Sequence, residues 1–80
     1  MEEIRVYGTR WCPDCVRAKQ VLEKLNIKYR WYDIESDPEA VALVEKINGG
    51  YKSVPTIVFP DGSVLVEPSN TALEKKLQGV

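Results

Sequence analysis

Histidine is absent from this chain of 80 residues, and cysteine occurs only twice. The first absence removes the commonest general base and the commonest metal ligand. A monomeric zinc site, which needs four Cys or His ligands, is excluded. The second excludes a scaffold stapled by several disulfides. Long apolar runs are missing too: nothing approaches the roughly 20 residues that span a bilayer. Charge of one sign nowhere accumulates. Eleven Lys and Arg stand against 12 Asp and Glu, a formal net charge of −1, and both signs are spread along the chain. Neither a basic stripe for nucleic acid nor an acidic tail for a basic partner is present. Internal repeats, linkers and low-complexity tracts are likewise missing.

What remains is an ordinary globular composition, 44% hydrophobic and 29% charged, and a length that fits one small domain, residues 1–80, with a thin stability margin. Met1-Glu2-Glu3 is acidic and runs straight into the first strand, so no signal peptide is expected and the expected location is the cytoplasm. Thiols there are held reduced, and a lone CxxC is catalytic or metal-binding more often than structural.

Both cysteines lie in Trp11-Cys12-Pro13-Asp14-Cys15. Ile4-Arg5-Val6-Tyr7 before it alternates as a strand does. After it Ala18, Val21, Leu22 and Leu25 recur at helical spacing, which predicts a helix from Pro13 to Leu25. The thiols therefore sit where a strand ends and a helix begins. Cys12 falls at or beside the N-cap and Pro13 at the first helical position, where its missing N–H costs nothing. A thiolate at that end meets unpaired N–H groups and the positive end of the helix dipole, which lower a cysteine pKa. Cys15 lies one turn on, close enough to close a disulfide. A structural staple is a poor reading of that pair, because so short a loop contributes only roughly 2 kcal/mol by chain entropy. Thiol–disulfide exchange is the better one, with Cys12 as nucleophile and Cys15 as resolving thiol.

The rest of the chain supplies the frame. Lys28 to Ile34, rich in aromatics, reads as a second strand parallel to the first. Ser36-Asp37-Pro38-Glu39 opens a second helix, either with Asp37 as cap and Pro38 at the first position or with Ser36 and Glu39 as a capping box. Ala40, Leu43, Val44 and Ile47 form its apolar stripe, and Asn48-Gly49-Gly50 ends it. Thr56 to Phe59 and Val64 to Val66 form a hairpin around Pro60-Asp61-Gly62-Ser63. Pro68-Ser69 introduces a last helix in which Leu73 and Leu77 face the sheet. The order is βαβαββα, an α/β arrangement with a four-stranded mixed sheet and helices on both faces.

That order, with CxxC after the first strand and Val54-Pro55-Thr56 some forty residues later, resembles the thioredoxin fold and most closely the glutaredoxin family, in particular its small mycoredoxin-like members. Thr9 to Cys15, Asp33-Ile34-Glu35, Asn48-Gly49-Gly50, Asp61-Gly62-Ser63 and Pro68-Ser69 carry the likeness. The resemblance implies a cis Pro55 opposite the cysteines and a Val54 backbone that bonds an extended substrate. It implies Trp11 as a platform beside Cys12. Arg10 and Lys52 would meet a carboxylate, and Ser69 and Asn70 would offer donors to a small thiol. No bound cofactor or metal is implied. The co-substrate would be a low-molecular-weight thiol, mycothiol or glutathione, and the partners a small thiol or a reductase together with disulfide-containing proteins. A monomer is expected.

Three activities are compatible with this likeness. The first is reduction of protein–small-thiol mixed disulfides. The second is electron donation to protein disulfides, such as those of a ribonucleotide reductase or a peroxiredoxin. The third is carriage of an iron–sulfur cluster between two subunits, which Pro13 disfavours by stiffening the turn. Two departures from the family pattern stand out. Asp14 replaces an aromatic residue, and its charge is expected to oppose the Cys12 thiolate, giving a milder nucleophile and a more reducing couple. Val66-Glu67-Pro68-Ser69-Asn70 replaces the Gly-Gly-x-Asp type of turn that grips a γ-glutamyl group.

Overall fold

In the computed structural model, which describes residues 3–78, seven elements follow in the expected order: β1 (Ile4–Gly8), α1 (Pro13–Lys24), β2 (Tyr29–Asp33), α2 (Pro38–Ile47), β3 (Thr56–Val58), β4 (Val64–Val66) and α3 (Asn70–Gln78). Met1 and Glu2, on which the expectation of no signal peptide partly rests, lie outside the described residues. The sheet order is β2-β1-β3-β4. β2 runs parallel to β1, with Val6 opposite Trp31, and β3 runs antiparallel to it, with Tyr7 opposite Thr56.

Alternation along β1 assigns the two faces. Ile4 and Val6 join Ala18, Val21 and Leu22 of α1, Ile57 and Phe59, and Leu73 and Leu77 of α3 in one core cluster. Tyr7 points the other way and packs with Ile34, Ala40, Val44 and Val58 beneath α2. The helices thus cover both faces, as the α/β reading requires.

The helix ends follow local chemistry. α1 stops because Asn26 takes the left-handed conformation at φ 57°. The Ile27 N–H then reaches the Leu22 carbonyl at 2.9 Å and the Asn26 N–H reaches Glu23 at 3.1 Å, the paired bonds of a Schellman ending. Leu25, expected in the apolar stripe, becomes the C-cap and is exposed. Cys15 takes the fourth buried position on the helix instead. α2 repeats the device with Gly49 at φ 65° and a 2.7 Å bond from the Gly50 N–H to the Glu45 carbonyl.

At the other end of α2, the Asp37 carboxylate accepts from the N–H groups of Glu39 and Ala40 at 3.1 and 3.3 Å. Of the two caps legible in the sequence, the Asp37-Pro38 arrangement is the one adopted. Asp37→Ala is expected to cost about 1 kcal/mol, read as a lower urea midpoint at unchanged slope.

Candidate active site

The residues at the C-terminal end of β1 are brought together by two pairings. Parallel β2 ends there too, and the Ile34 N–H bonds the Gly8 carbonyl at 3.0 Å. On the other side the antiparallel register of β1 and β3 runs toward Pro55, the residue before β3. Pro55 is buried, and its bond to Val54 is cis. Its carbonyl accepts the Glu67 N–H at 2.9 Å, which ties the turn before α3 to the same end. Cys12, Cys15, Pro55, Ser69 and Asn70, separated by up to 58 positions in the sequence, thereby share one end of the sheet.

Cys12 is the N-cap of α1, with extended φ −79° and ψ 117°, and Pro13 occupies the first turn. The Cys12 carbonyl accepts the first helical bond, from the Val16 N–H at 3.0 Å. Both thiols are free. Cys12 is half-buried and open to a partner, whereas Cys15 has no exposed surface.

Burial pushes the Cys15 thiol up to about 12, opposed by a hydrogen bond from the Thr9 backbone N–H. The Cys12 side chain, as hydrogen-bond partner and as neighbouring charge, and the Asp14 charge add smaller upward contributions. Cys15 is therefore a protonated, sheltered thiol beside an accessible one. At neutral pH, iodoacetamide is expected to label Cys12 alone, with Cys15 reacting only in urea; mass spectrometry of the peptides checks this. Between about 9 and about 12 the unfolded chain releases the Cys15 proton while the native chain keeps it. Stability must fall as pH rises through that window. The fall is expected to flatten in Cys15→Ala.

Gly8 and Thr9, just before the motif, shape this pocket. Gly8 is the last residue of β1, buried against α1. A Cβ there would overlap the Cys15 sulfur and approach the Trp31 ring edge to 3.0 Å. A glycine closing a strand just before a helix is the signal for such close packing. Thr9 donates its N–H to Cys15 and accepts the Cys12 N–H at 3.4 Å on its carbonyl, and its own buried hydroxyl has no partner among the described residues.

Several charged residues around the thiols are paired. Asp14 does not stand as a free charge: Arg17, one turn along α1, pairs with it at 2.9 Å. The same guanidinium donates to the Asn70 side-chain oxygen at 3.1 Å. Arg10 lies 3.7 Å from Asp33. The Ser69 hydroxyl accepts the Ala72 N–H at 3.1 Å, serving first as a helix cap. The Trp11 indole N–H donates to Glu35 at 2.9 Å, and its ring remains 71% exposed. Lys52 is exposed, three residues before Pro55, and has no ion-pair partner among the described residues. Tyr51 beside it is 73% exposed, a second large aromatic surface that the sequence did not single out. A cavity of about 390 Å³ between the sheet and α2 is lined by Tyr7, Tyr32, Asp37 and Leu43 and by none of the residues around the thiols.

Comparison with known proteins agrees with this geometry. The glutaredoxin family model matches residues 4–65. A protein of Mycobacterium tuberculosis named as a glutaredoxin is 40% identical over 74 residues, covering 92% of this chain and 88% of its own. Mycoredoxin 1 of Corynebacterium glutamicum is 30% identical over 81 residues, covering 100% of this chain and 99% of its own. A crystallised point mutant of a thioredoxin-like protein superposes with a TM-score of 0.84 at 32% identity, covering 98% of this chain and 97% of its own.

Proposed function

The chain belongs to the glutaredoxin family, and on that premise we propose that it is a dithiol oxidoreductase that reduces protein–small-thiol mixed disulfides. The observation that carries the reading is the asymmetry of the two thiols. Cys12 caps a helix and is open; Cys15 is buried and its pKa is pushed up to about 12.

The mechanism follows from that asymmetry. The helix N-terminus favours the anionic form of a sulfur at position 12. The Cys12 thiolate attacks one sulfur of the substrate disulfide in line. A Cys12 mixed disulfide forms, and the other half leaves as a thiolate. Either a small thiol then attacks that mixed disulfide, or Cys15 attacks Cys12, closing the internal disulfide and releasing the second half. The Cys15 proton passes to the departing thiolate, so no histidine is needed. Electrons come from outside, through a low-molecular-weight thiol or a reductase. Trp11 and the Val54-Pro55 segment would form the contact surface for substrate, with Pro13 and Asp14 modulating Cys12. Lys52, Arg10, Ser69 and Asn70 would line the rim. On the same reading residues 1–80 act as one domain, a monomer in the reducing cytoplasm.

The exposed faces of Trp11 and Tyr51 favour a second reading, electron donation to protein disulfides, since large aromatic side chains anchor protein partners. Turnover of the parent and of Cys15→Ser separates the two. The substrates are a peptide bearing a small-thiol mixed disulfide, offered with glutathione or with mycothiol, and a protein disulfide. Retained turnover of the mixed disulfide by the variant supports the first reading, and the thiol that sustains it is the co-substrate. A variant inactive on both, beside a parent that reduces the protein disulfide, supports the second.

A further inference from the structure

The Asp14–Arg17–Asn70 bridge joins the motif's variable residue to the first residue of α3. Both terminal nitrogens of Arg17 are engaged, Nη2 with the Asp14 carboxylate at 2.9 Å and Nη1 with the Asn70 oxygen at 3.1 Å. The bridge is not buried: the side chains of Arg17 and Asp14 are 37% and 50% exposed, so an incoming ligand can reach them. Arg10, the other arginine near the motif, lies 3.7 Å from Asp33. The Ser69 hydroxyl is used as a cap.

Resting on the proposed oxidoreductase function and refining its substrate class, we propose that Asp14 sets the charge selectivity of the site through Arg17. The bridge disfavours small thiols and disulfides that carry carboxylates and leaves uncharged, hydroxyl-bearing ones unaffected. The physical argument is an exchange. A ligand carboxylate that takes the Nη2 edge of the Arg17 guanidinium displaces Asp14 from it. One ion pair replaces another, and Asp14 is left as an unpaired anion beside the ligand. An uncharged ligand breaks no pair. A surface ion pair contributes at most about 1 kcal/mol, so the discrimination is a matter of a few-fold. Asp14 acts here as a positioning residue, through Arg17, and takes no part in bond making.

The test needs no turnover. In Cys15→Ser, Cys12 attacks a disulfide probe once: a Cys12–sulfur bond forms, the probe's S–S bond breaks, and half the probe leaves as a thiolate. The adduct is counted by mass spectrometry. Second-order rate constants are measured with glutathione disulfide, which carries carboxylates, and with bis(2-hydroxyethyl) disulfide, which is uncharged. Their ratio cancels any change in Cys12 nucleophilicity, because that acts on both probes. Adding Asp14→Asn is expected to raise the ratio by about two- to fivefold at low ionic strength. Adding Arg17→Gln as well is expected to abolish the gain. An unchanged ratio in Asp14→Asn overturns the proposal. So does an equal gain in Glu67→Gln, which removes the same charge at this end of the sheet without touching the bridge, since bulk charge would then be responsible. A parent that fails to turn over any mixed disulfide would overturn the enzymatic function while leaving this ratio to be read independently.

Discussion

Serine at position 12 is expected to abolish reduction of every disulfide substrate, lowering the rate by about three orders of magnitude or more. Hydroxyl and thiol differ little in size, and Cys12 is only half-buried. The fold should therefore survive, with a urea midpoint close to that of the parent. The cause is chemical. A serine hydroxyl stays protonated in a setting where a thiol can ionise, and oxygen does not exchange with disulfide sulfur. Cys15 cannot take over, because it has no exposed surface and its proton is held up to about pH 12. Residual activity within tenfold of the parent would mean that Cys15 reaches substrate directly, and the assignment of the two roles would be wrong. Stopped-flow reduction of a mixed-disulfide peptide gives the rate, and circular dichroism the fold.

The second large effect is expected at Gly8, which touches no substrate. Alanine there places a methyl group against the Cys15 sulfur, 3.2 Å from its Cβ and 3.0 Å from the Trp31 ring edge. Cys15 is fully buried, so its sulfur cannot swing into solvent to make room. Overpacking of this kind costs about 1–3 kcal/mol, a large share of the stability of so small a domain. Urea unfolding measures it. The specific cause is tested by a double-mutant cycle with Cys15→Ala, which removes the sulfur. Gly8→Ala should cost about 1 kcal/mol less in that background. Equal costs in both backgrounds would show that the sulfur is not the obstacle. At a temperature where the variant is folded, closure of the internal disulfide should slow more than attack by Cys12, because the displaced atom belongs to the resolving thiol.

Much of this architecture was legible because its signals are local. The alternation of Ile4 to Tyr7, the apolar spacing of α1, Asp37-Pro38 before α2 and Asn48-Gly49-Gly50 after it each act over one or two turns of chain, and each formed the element expected. Leu25 shows the limit. Its spacing continued the stripe, but the left-handed turn at Asn26 ended the helix first and left the side chain in water. The Schellman bonds to Ile27 decided that, and apolar periodicity does not register them. Arg17 shows another limit. Its pair with Asp14 lies within one helical turn and went unread, and its reach to Asn70 depends on how α1 and α3 lie against one another.

By itself the sequence determined the two thiols, their place between a strand and a helix, and the accessory segments of a glutaredoxin. These are set by residue identity and by backbone preferences that act within a few bonds. Tertiary structure alone decided how different the two thiols are. Cys15 is buried because Gly8 lets α1 close onto β1, and burial in turn holds its proton. It also decided that Asp14, read from the sequence as a bare charge beside the nucleophile, is tied through Arg17 to α3. Electrostatics and packing depend on distances through space, and the folded sheet alone brings positions 8, 15, 55 and 70 to one end.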